Sequence, residues 1–252
     1  MADRKLISPK FRAIIGDMEL SDGITAECYS SVTERCNYAT IELNKRLIGS
    51  VEVSDRMPAE VQLGYADDFD TIVSGYVIAD RSSGGNIHIP DDTVLLMQTR
   101  ITATFVDSTP QDIIRYALEK AGVTRYQLSD ARYQACASMS VYNTSALDLI
   151  ALVNKRWKID ASYYFVSGCF YWNTGLDQDE IYVLEEGKNI LGYTEFCNES
   201  EVKTIGIPWI HQGELIEIHH SRYSGQVRVT AAKVKRDEKG QVRMFLTFKP
   251  EG

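Results

Sequence analysis

The residues able to do chemistry in this chain are four histidines, a few grouped carboxylates and five cysteines. His219 and His220 are neighbours in the alternating run Glu214-Leu-Ile-Glu-Ile-His-His220. Adjacent residues on a strand point to opposite faces, so that strand alone cannot bring both imidazoles to one metal. His211 and His88 fall at unrelated strand or loop positions, and all four read as solvated or core-satisfied side chains. Asp67-Asp68-Phe69-Asp70 has the density of a cation loop but lacks the glycine and distal glutamate of a calcium site, and reads as a solvated hairpin tip. Glu185-Glu186 invites glycoside chemistry, yet adjacent carboxylates on a strand diverge and give no acid/base geometry. They are assigned to a surface turn before Gly187. Cys28, Cys36, Cys136, Cys169 and Cys197 are odd in number and lack the close paired spacing of a zinc site, which makes them buried free thiols. Around Cys136 there is no nucleophile elbow and no ordered Ser-Asp-His set. The expectation is a chain with no catalytic, cofactor-binding or metal site.

Composition narrows the class further. Hydrophobic residues at 44% and charged residues at 25% are the proportions of an ordinary globular protein, which excludes a disordered chain. The net charge of −8 argues against wrapping a nucleic acid, because neutralising phosphates needs clustered Lys and Arg. From residue 185 onward ten acidic residues balance ten basic ones, so the whole net charge lies in the first 184. No apolar run reaches the length of a membrane span, and no hydrophobic region follows Met1-Ala-Asp-Arg-Lys5 to act as a signal peptide. The expectation is a chain made in the cytoplasm, with no membrane insertion.

The elements that would carry these residues are mostly short strands. Phe11 to Leu20 reads as a hairpin turning at Gly16-Asp17, and Ile24–Ser30 and Tyr38–Leu43 continue the pattern. Glu60–Tyr65 and Thr71–Ala79 flank the acidic loop, and a turn at Ser82-Ser-Gly-Gly85 leads into Asn86–Ile89. Strands broken at regular intervals by glycine and aspartate favour a barrel over an α/β sheet. The middle changes character. Thr109-Pro110-Gln111-Asp112 starts a helix with a hydroxyl cap, Pro at the first position and an early acid; Ile113, Ile114, Ala117, Leu118 and Ala121 form its stripe, and Gly122 ends it. A second helix follows Asn143-Thr144-Ser145, with Leu147, Ile150, Val153 and Trp157 facing inward. Tyr133–Ser140 reads as extended, and Ser162–Val166, Cys169–Trp172 and Ile181–Leu184 as aromatic-rich strands. About half of Tyr163, Tyr164, Phe165, Phe170, Tyr171 and Trp172 must be core, leaving the rest as an interface edge or carbohydrate platform.

The closing stretch, from Glu201 to Lys249, reads as a β-meander whose reversals fall at Tyr223-Ser224-Gly225 and Lys239-Gly240. Its last run puts Val242, Met244, Leu246 and Phe248 on one face and Arg243, Phe245, Thr247 and Lys249 on the other. Lys233, Lys235, Arg236, Lys239 and Arg243 form a basic hairpin, read as a solvated one with an acidic neighbour as the alternative.

In order along the chain, these signatures resemble the late control protein D family of phage tail baseplate hub proteins. Gly64-Tyr65, an acidic turn and Val73-Ser74-Gly75-Tyr76-Val77 resemble its Gly-Tyr and Phe-Ser-Gly-Tyr-Ile pair. Thr109-Pro-Gln-Asp-Ile-Ile114 resembles a Thr-x-x-Asp-Ile-Ile helix start. Asn143 through Trp157 resembles an Asn-x-Ser to Trp-Gly helix, and Gly213-Glu-Leu-Ile-Glu-Ile218 with Gly225-x-Val-Arg-Val229 resembles its closing strands. The chain departs from the pattern at the short polar segment Lys45–Pro58 and at Trp157-Lys158.

The resemblance implies an α+β, mostly β fold: two small tube-like β-barrel domains, residues 1–106 and 187–252, with an intervening α+β domain at 107–186. It implies a homotrimeric ring presenting six similar barrels, which joins a sixfold tail tube protein above to a threefold central spike protein below and touches other baseplate proteins. DNA would pass through the lumen without specific binding, and the location would be the virion tail baseplate. The wet face Arg243, Phe245, Thr247 and Lys249 then becomes the candidate subunit or partner interface. A receptor- or glycan-binding tail component and a cell-wall hydrolase are the alternative readings.

Overall fold

The computed structural model describes residues 8–78, 85–176, 178 and 180–250. The expected turn at 82–84, the strand end at Ala79 and residues 1–5 lie outside the described residues. The chain opens with seven strands: β1 (Lys10–Ile15), β2 (Met18–Leu20), β3 (Ile24–Ser31), β4 (Tyr38–Leu43), β5 (Pro58–Tyr65), β6 (Asp68–Tyr76) and β7 (Asn86–Pro90). Helices then interleave with strands: α1 (Thr93–Gln98), β8 (Arg100–Ser108), α2 (Pro110–Ala121), β9 (Tyr126–Leu128), β10 (Cys136–Ser145), α3 (Ala146–Trp157), β11 (Tyr163–Val166) and β12 (Cys169–Trp172). Six strands close the chain: β13 (Tyr182–Glu185), β14 (Ile190–Glu195), β15 (Ser200–Ile205), β16 (Leu215–His220), β17 (Tyr223–Arg236) and β18 (Val242–Phe248). Strands hold 51% of the described residues and helices 13%, which makes the fold mostly β.

Two compact units result, one drawn from the chain up to Asp91 and again from Leu176, the other spanning Asp92–Gly175. The first contains a four-stranded sheet, β2-β1-β5-β6, and a nine-stranded sheet whose main path is β14-β15-β18-β17-β3-β4-β7, with β16 beside β17 and β13 beside β16. Among the described residues both strand orders are open paths. β3 and β17 pair antiparallel from Ala26↔Arg236 to Ser31↔Ala231, so the two ends of the sequence share one sheet. The core of this unit is aliphatic, with Ile15, Ile41, Leu63, Ile89, Val202, Leu246 and Phe248 all inaccessible to solvent. The polar segment after β4 closes over it by packing Leu47, Val51, Val53 and Met57 against that core.

Two of the glycines and tyrosines that carry the sequence resemblance have plain physical roles. A Cβ on Gly75 would lie 1.9 Å from the carbonyl oxygen of Pro90, so only glycine lets β6 approach the end of β7. The Tyr65 hydroxyl donates to the Gly206 carbonyl at 2.6 Å, tying β5 to the segment after β15. β18 follows its expected alternation, with Val242, Met244, Leu246 and Phe248 buried. The reversal expected at Tyr223–Gly225 falls instead at Ser221-Arg222, because His220 pairs directly with Tyr223 and residues 223–225 are already part of β17. The expected acidic loop is also shorter, since β6 begins at Asp68 and pairs it with Tyr65.

In the second unit α2 starts as its sequence requires. Thr109 accepts from the Asp112 backbone N–H while the Asp112 carboxylate accepts from the Thr109 N–H, and Gly122 ends the helix at φ 80°. Ser145 caps α3 by accepting from the Asp148 N–H at 3.0 Å. Ile113, Ile114, Leu118, Leu147, Ile150 and Val153 form the core with Phe165, Phe170 and Trp172. Trp157 is only half-buried, its indole N–H donating to the Gln134 carbonyl at 2.8 Å. The extended segment expected at Tyr133–Ser140 begins later, at Cys136, and runs to Ser145 with a bulge between Val141 and Thr144. β13 pairs in parallel with β16 in the first unit, whereas β11, β12 and β9 form a separate three-stranded sheet.

The departure at Trp157-Lys158 now has a cost attached. Lys158 is the C-cap of α3 and sits in the left-handed region at φ 55°. An L-residue there loses about 1–2 kcal/mol, partly offset in glycine by its greater chain entropy. Lys158→Gly is therefore expected to stabilise the protein by about 0.5–1 kcal/mol, read as a raised urea midpoint at unchanged m-value.

Candidate interaction surface

The expected wet face of β18 lies in the middle of the nine-stranded sheet, with β15 on one side and β17 on the other. Register then decides its neighbours. Lys203 of β15 and Lys233 of β17 both pair with Phe245. Their ammonium groups lie 5.6 and 5.2 Å from the centre of its ring, within cation–π range. Lys233 pairs in turn with Tyr29 and Tyr29 with Tyr38. The two tyrosine rings are 5.7 Å apart, and Tyr38 is 5.5 Å from the imidazole of His88. One half-exposed row of cations and aromatics thus crosses the sheet from β15 to β7.

The adjacent row carries Arg243, paired with Lys235, and Lys235 forms an ion pair with Glu27 at 2.6 Å. Among the described residues no carboxylate lies within ion-pair reach of Lys203, Lys233 or Arg243. Arg243, Phe245 and Thr247 therefore share the outer face as the alternation requires, while Lys249 is exposed just past the end of β18. Sequence reasoning did not supply Lys203, Tyr29 and Tyr38 as their neighbours, because these come from strands whose partners no local pattern specifies. The basic hairpin also divides. Arg236 is 8% exposed and turned inward, its guanidinium donating to the carbonyls of Ile24 and Ser21, whereas Lys233, Lys235 and Arg243 face out.

The other candidate residues are dispersed. His219 pairs with Glu217 at 2.8 Å, and His220 stacks on Tyr193 at 4.6 Å with Glu186 3.5 Å from its Nε2. Glu186 also accepts the Ser221 backbone N–H, which holds its carboxyl below the usual range. Glu185 pairs with Lys188. Burial raises the thiols of Cys28 and Cys36, the second to about 12 with Asp91 adding to the effect, so neither is a thiolate at neutral pH. Among the described residues no three His, Cys, Asp or Glu side chains are grouped to hold a metal ion. Of the aromatic cluster, Tyr164, Phe165, Phe170 and Trp172 are buried, leaving only Tyr163 and Tyr171 half-exposed. The outer face of β15, β18 and β17 thus gathers basic side chains around an aromatic centre.

One buried polar contact was missed from sequence. His211 Nε2 lies 3.2 Å from Asp70 Oδ2, and the His211 backbone N–H donates to Glu214 Oε2 at 3.0 Å. Burial pushes the Glu214 carboxyl up, and His211 opposes it.

No protein-family model matches the chain, and no curated protein matches it. Its fold is that of phage tail proteins. The 43 kDa tail protein of prophage MuSo2 from Shewanella oneidensis superposes with a TM-score of 0.73 at 10% identity, covering 95% of this chain and 97% of that one. A tail protein from Neisseria meningitidis gives 0.73 at 9% identity, over 98% of each chain. The E. coli c3393 protein, a type VI secretion component described as structurally similar to the T4 tail proteins gp27 and gp5, gives 0.67 at 11% identity, over 97% of this chain and 77% of that one.

The buried carboxyl gives a pH test. A carboxyl whose folded pKa is raised above its ordinary value of 4.5 contributes stability present below that value and lost as pH rises through the folded pKa. Glu214→Gln keeps an acceptor for the His211 N–H and removes the titration. Urea unfolding at about pH 4 and about pH 7 is expected to favour the variant over the wild type more at the higher pH.

Proposed function

We propose that this chain is a structural hub subunit of a phage tail, or phage-tail-like, baseplate, with no chemistry of its own. The observation that carries the proposal is likeness along nearly the whole length: 95% and 98% of the chain superposes on two tail proteins that are themselves covered to 97% and 98%.

On this reading the unit drawn from the chain up to Asp91 and again from Leu176 supplies the two tube-like β-barrel elements proposed at the two ends of the chain, and the unit Asp92–Gly175 is the α+β domain between them in sequence. Three copies form a ring whose six barrel-like elements meet a tail tube protein above and a central spike protein below, among other baseplate proteins. The subunit resides in the virion tail baseplate. The acidic excess of the first 184 residues lines the passage in part, where like charge keeps DNA from adhering. Exposed strand edges are closed between subunits, which removes an aggregation hazard. The interface uses the outer face of β18, with Phe245 at its centre and Arg243, Thr247 and Lys249 around it.

Phe245→Asp tests the face. The new carboxylate lies between Lys203 and Lys233, so the fold is retained and unfolding stability changes by about 1 kcal/mol or less. Assembly of the oligomer, measured by light scattering at high concentration, is expected to fail. A folded variant that assembles as the wild type does removes this interface.

A further inference from the structure

The cationic row around Phe245 has a counterpart on the same unit. β14 is the terminal strand on the main path of the nine-stranded sheet, and its hairpin to β15 turns through residues 196–199, closed by the Phe196 N–H donating to the Glu199 carbonyl at 2.8 Å. Glu195 precedes the turn and Glu199 ends it. Between them Phe196 is 57% exposed, the most exposed phenylalanine among the described residues. Among those residues no cation lies within ion-pair reach of Glu195 or Glu199. A large apolar ring held in water between two unpaired carboxylates is the composition of an interface anchor with a charged rim.

We infer that this hairpin tip of one copy seats on the Lys203–Phe245–Lys233 face of the next copy. Phe196 would pack on the aromatic centre, and Glu195 and Glu199 would reach Lys203, Lys233 and Arg243, none of which has a carboxylate within ion-pair reach among the described residues. The occupant is a second copy because both complementary surfaces are present on this chain: the tip is acidic and aromatic, the face basic and aromatic. A nucleic acid would meet only a small basic patch on a chain of net charge −8. The tip and the face are different sets of residues on adjoining parts of one sheet, Glu199 lying near enough to Tyr29 of the outer row to act on its hydroxyl; with the tip of each copy seated on the face of the next, the contact is head-to-tail, the type that generates a closed ring when its rotation closes. This inference rests on the ring proposed above and names the groups that hold it.

Charge reversal provides the test. Light scattering on the full chain at physiological salt is expected to show an oligomer for the wild type. Glu195→Lys with Glu199→Lys, and separately Lys203→Glu with Lys233→Glu, should each weaken association about tenfold or more. All four changes in one chain should restore it. Phe196→Ser, which leaves every charge in place, should weaken it as well. Circular dichroism and urea unfolding establish that each variant is folded. An oligomer that persists in both double variants, or a folded fourfold variant that does not recover, overturns this contact and leaves the ring itself standing. A wild-type chain that stays monomeric overturns both.

Discussion

The pairing of β3 with β17 is the contact on which the rest of the first unit depends. It joins residues about two hundred positions apart in sequence, so its loop-closure entropy is repaid only if many contacts form together. Arg236 secures one end. Its buried guanidinium donates to the carbonyls of Ser21 and Ile24 and lies 3.8 Å from Asp22, so the charge enters the protein with partners. A buried cation left unpaired would cost several kcal/mol, which makes this geometry selective for one register. Once the register is set, Tyr29 lies beside Lys233, and the outer row becomes continuous from β15 to β7.

That row is built from the half of each strand that the core does not need. Along β18 every second side chain is buried among aliphatic neighbours, which leaves Arg243, Phe245 and Thr247 at the surface. Phe245 keeps two ammonium groups over its ring where an isolated phenylalanine would only expose apolar area to water. Each such contact at a half-exposed site is worth about 0.5–1 kcal/mol, enough to organise the lysines without burying them. They remain available to a carboxylate brought by another surface.

The second unit obeys a different economy. Its two long helices are fixed locally, by a reciprocal cap at Thr109 and Asp112 and a hydroxyl cap at Ser145, before any distant contact is needed. Its aromatics are core side chains for the most part, which is why the run of tyrosine, phenylalanine and tryptophan in β11 and β12 makes no broad exposed platform. The buried Trp172 indole donates to Asn154 at 2.8 Å, so even its polar edge is satisfied within the unit.

Much of this was legible in the residues alone. Alternation identified the buried and wet faces of β18, the Gly16-Asp17 hairpin and the caps of α2 and α3, because those features depend on neighbours within a few positions. The strand content and the helical middle followed from the same local rules. Two turn placements failed at the same scale: Tyr223–Gly225 became strand, and the acidic run entered β6, since pairing with β16 and β5 outweighed turn propensity. What only the tertiary structure decided is which strands lie side by side. Lys203 beside Phe245, Tyr29 beside Lys233, Asp70 against His211 and Arg236 turned inward all require partners tens to hundreds of residues away. Backbone hydrogen bonds pair strands of almost any sequence, so that choice is made by the packing of the whole core and leaves no short-range mark in the chain.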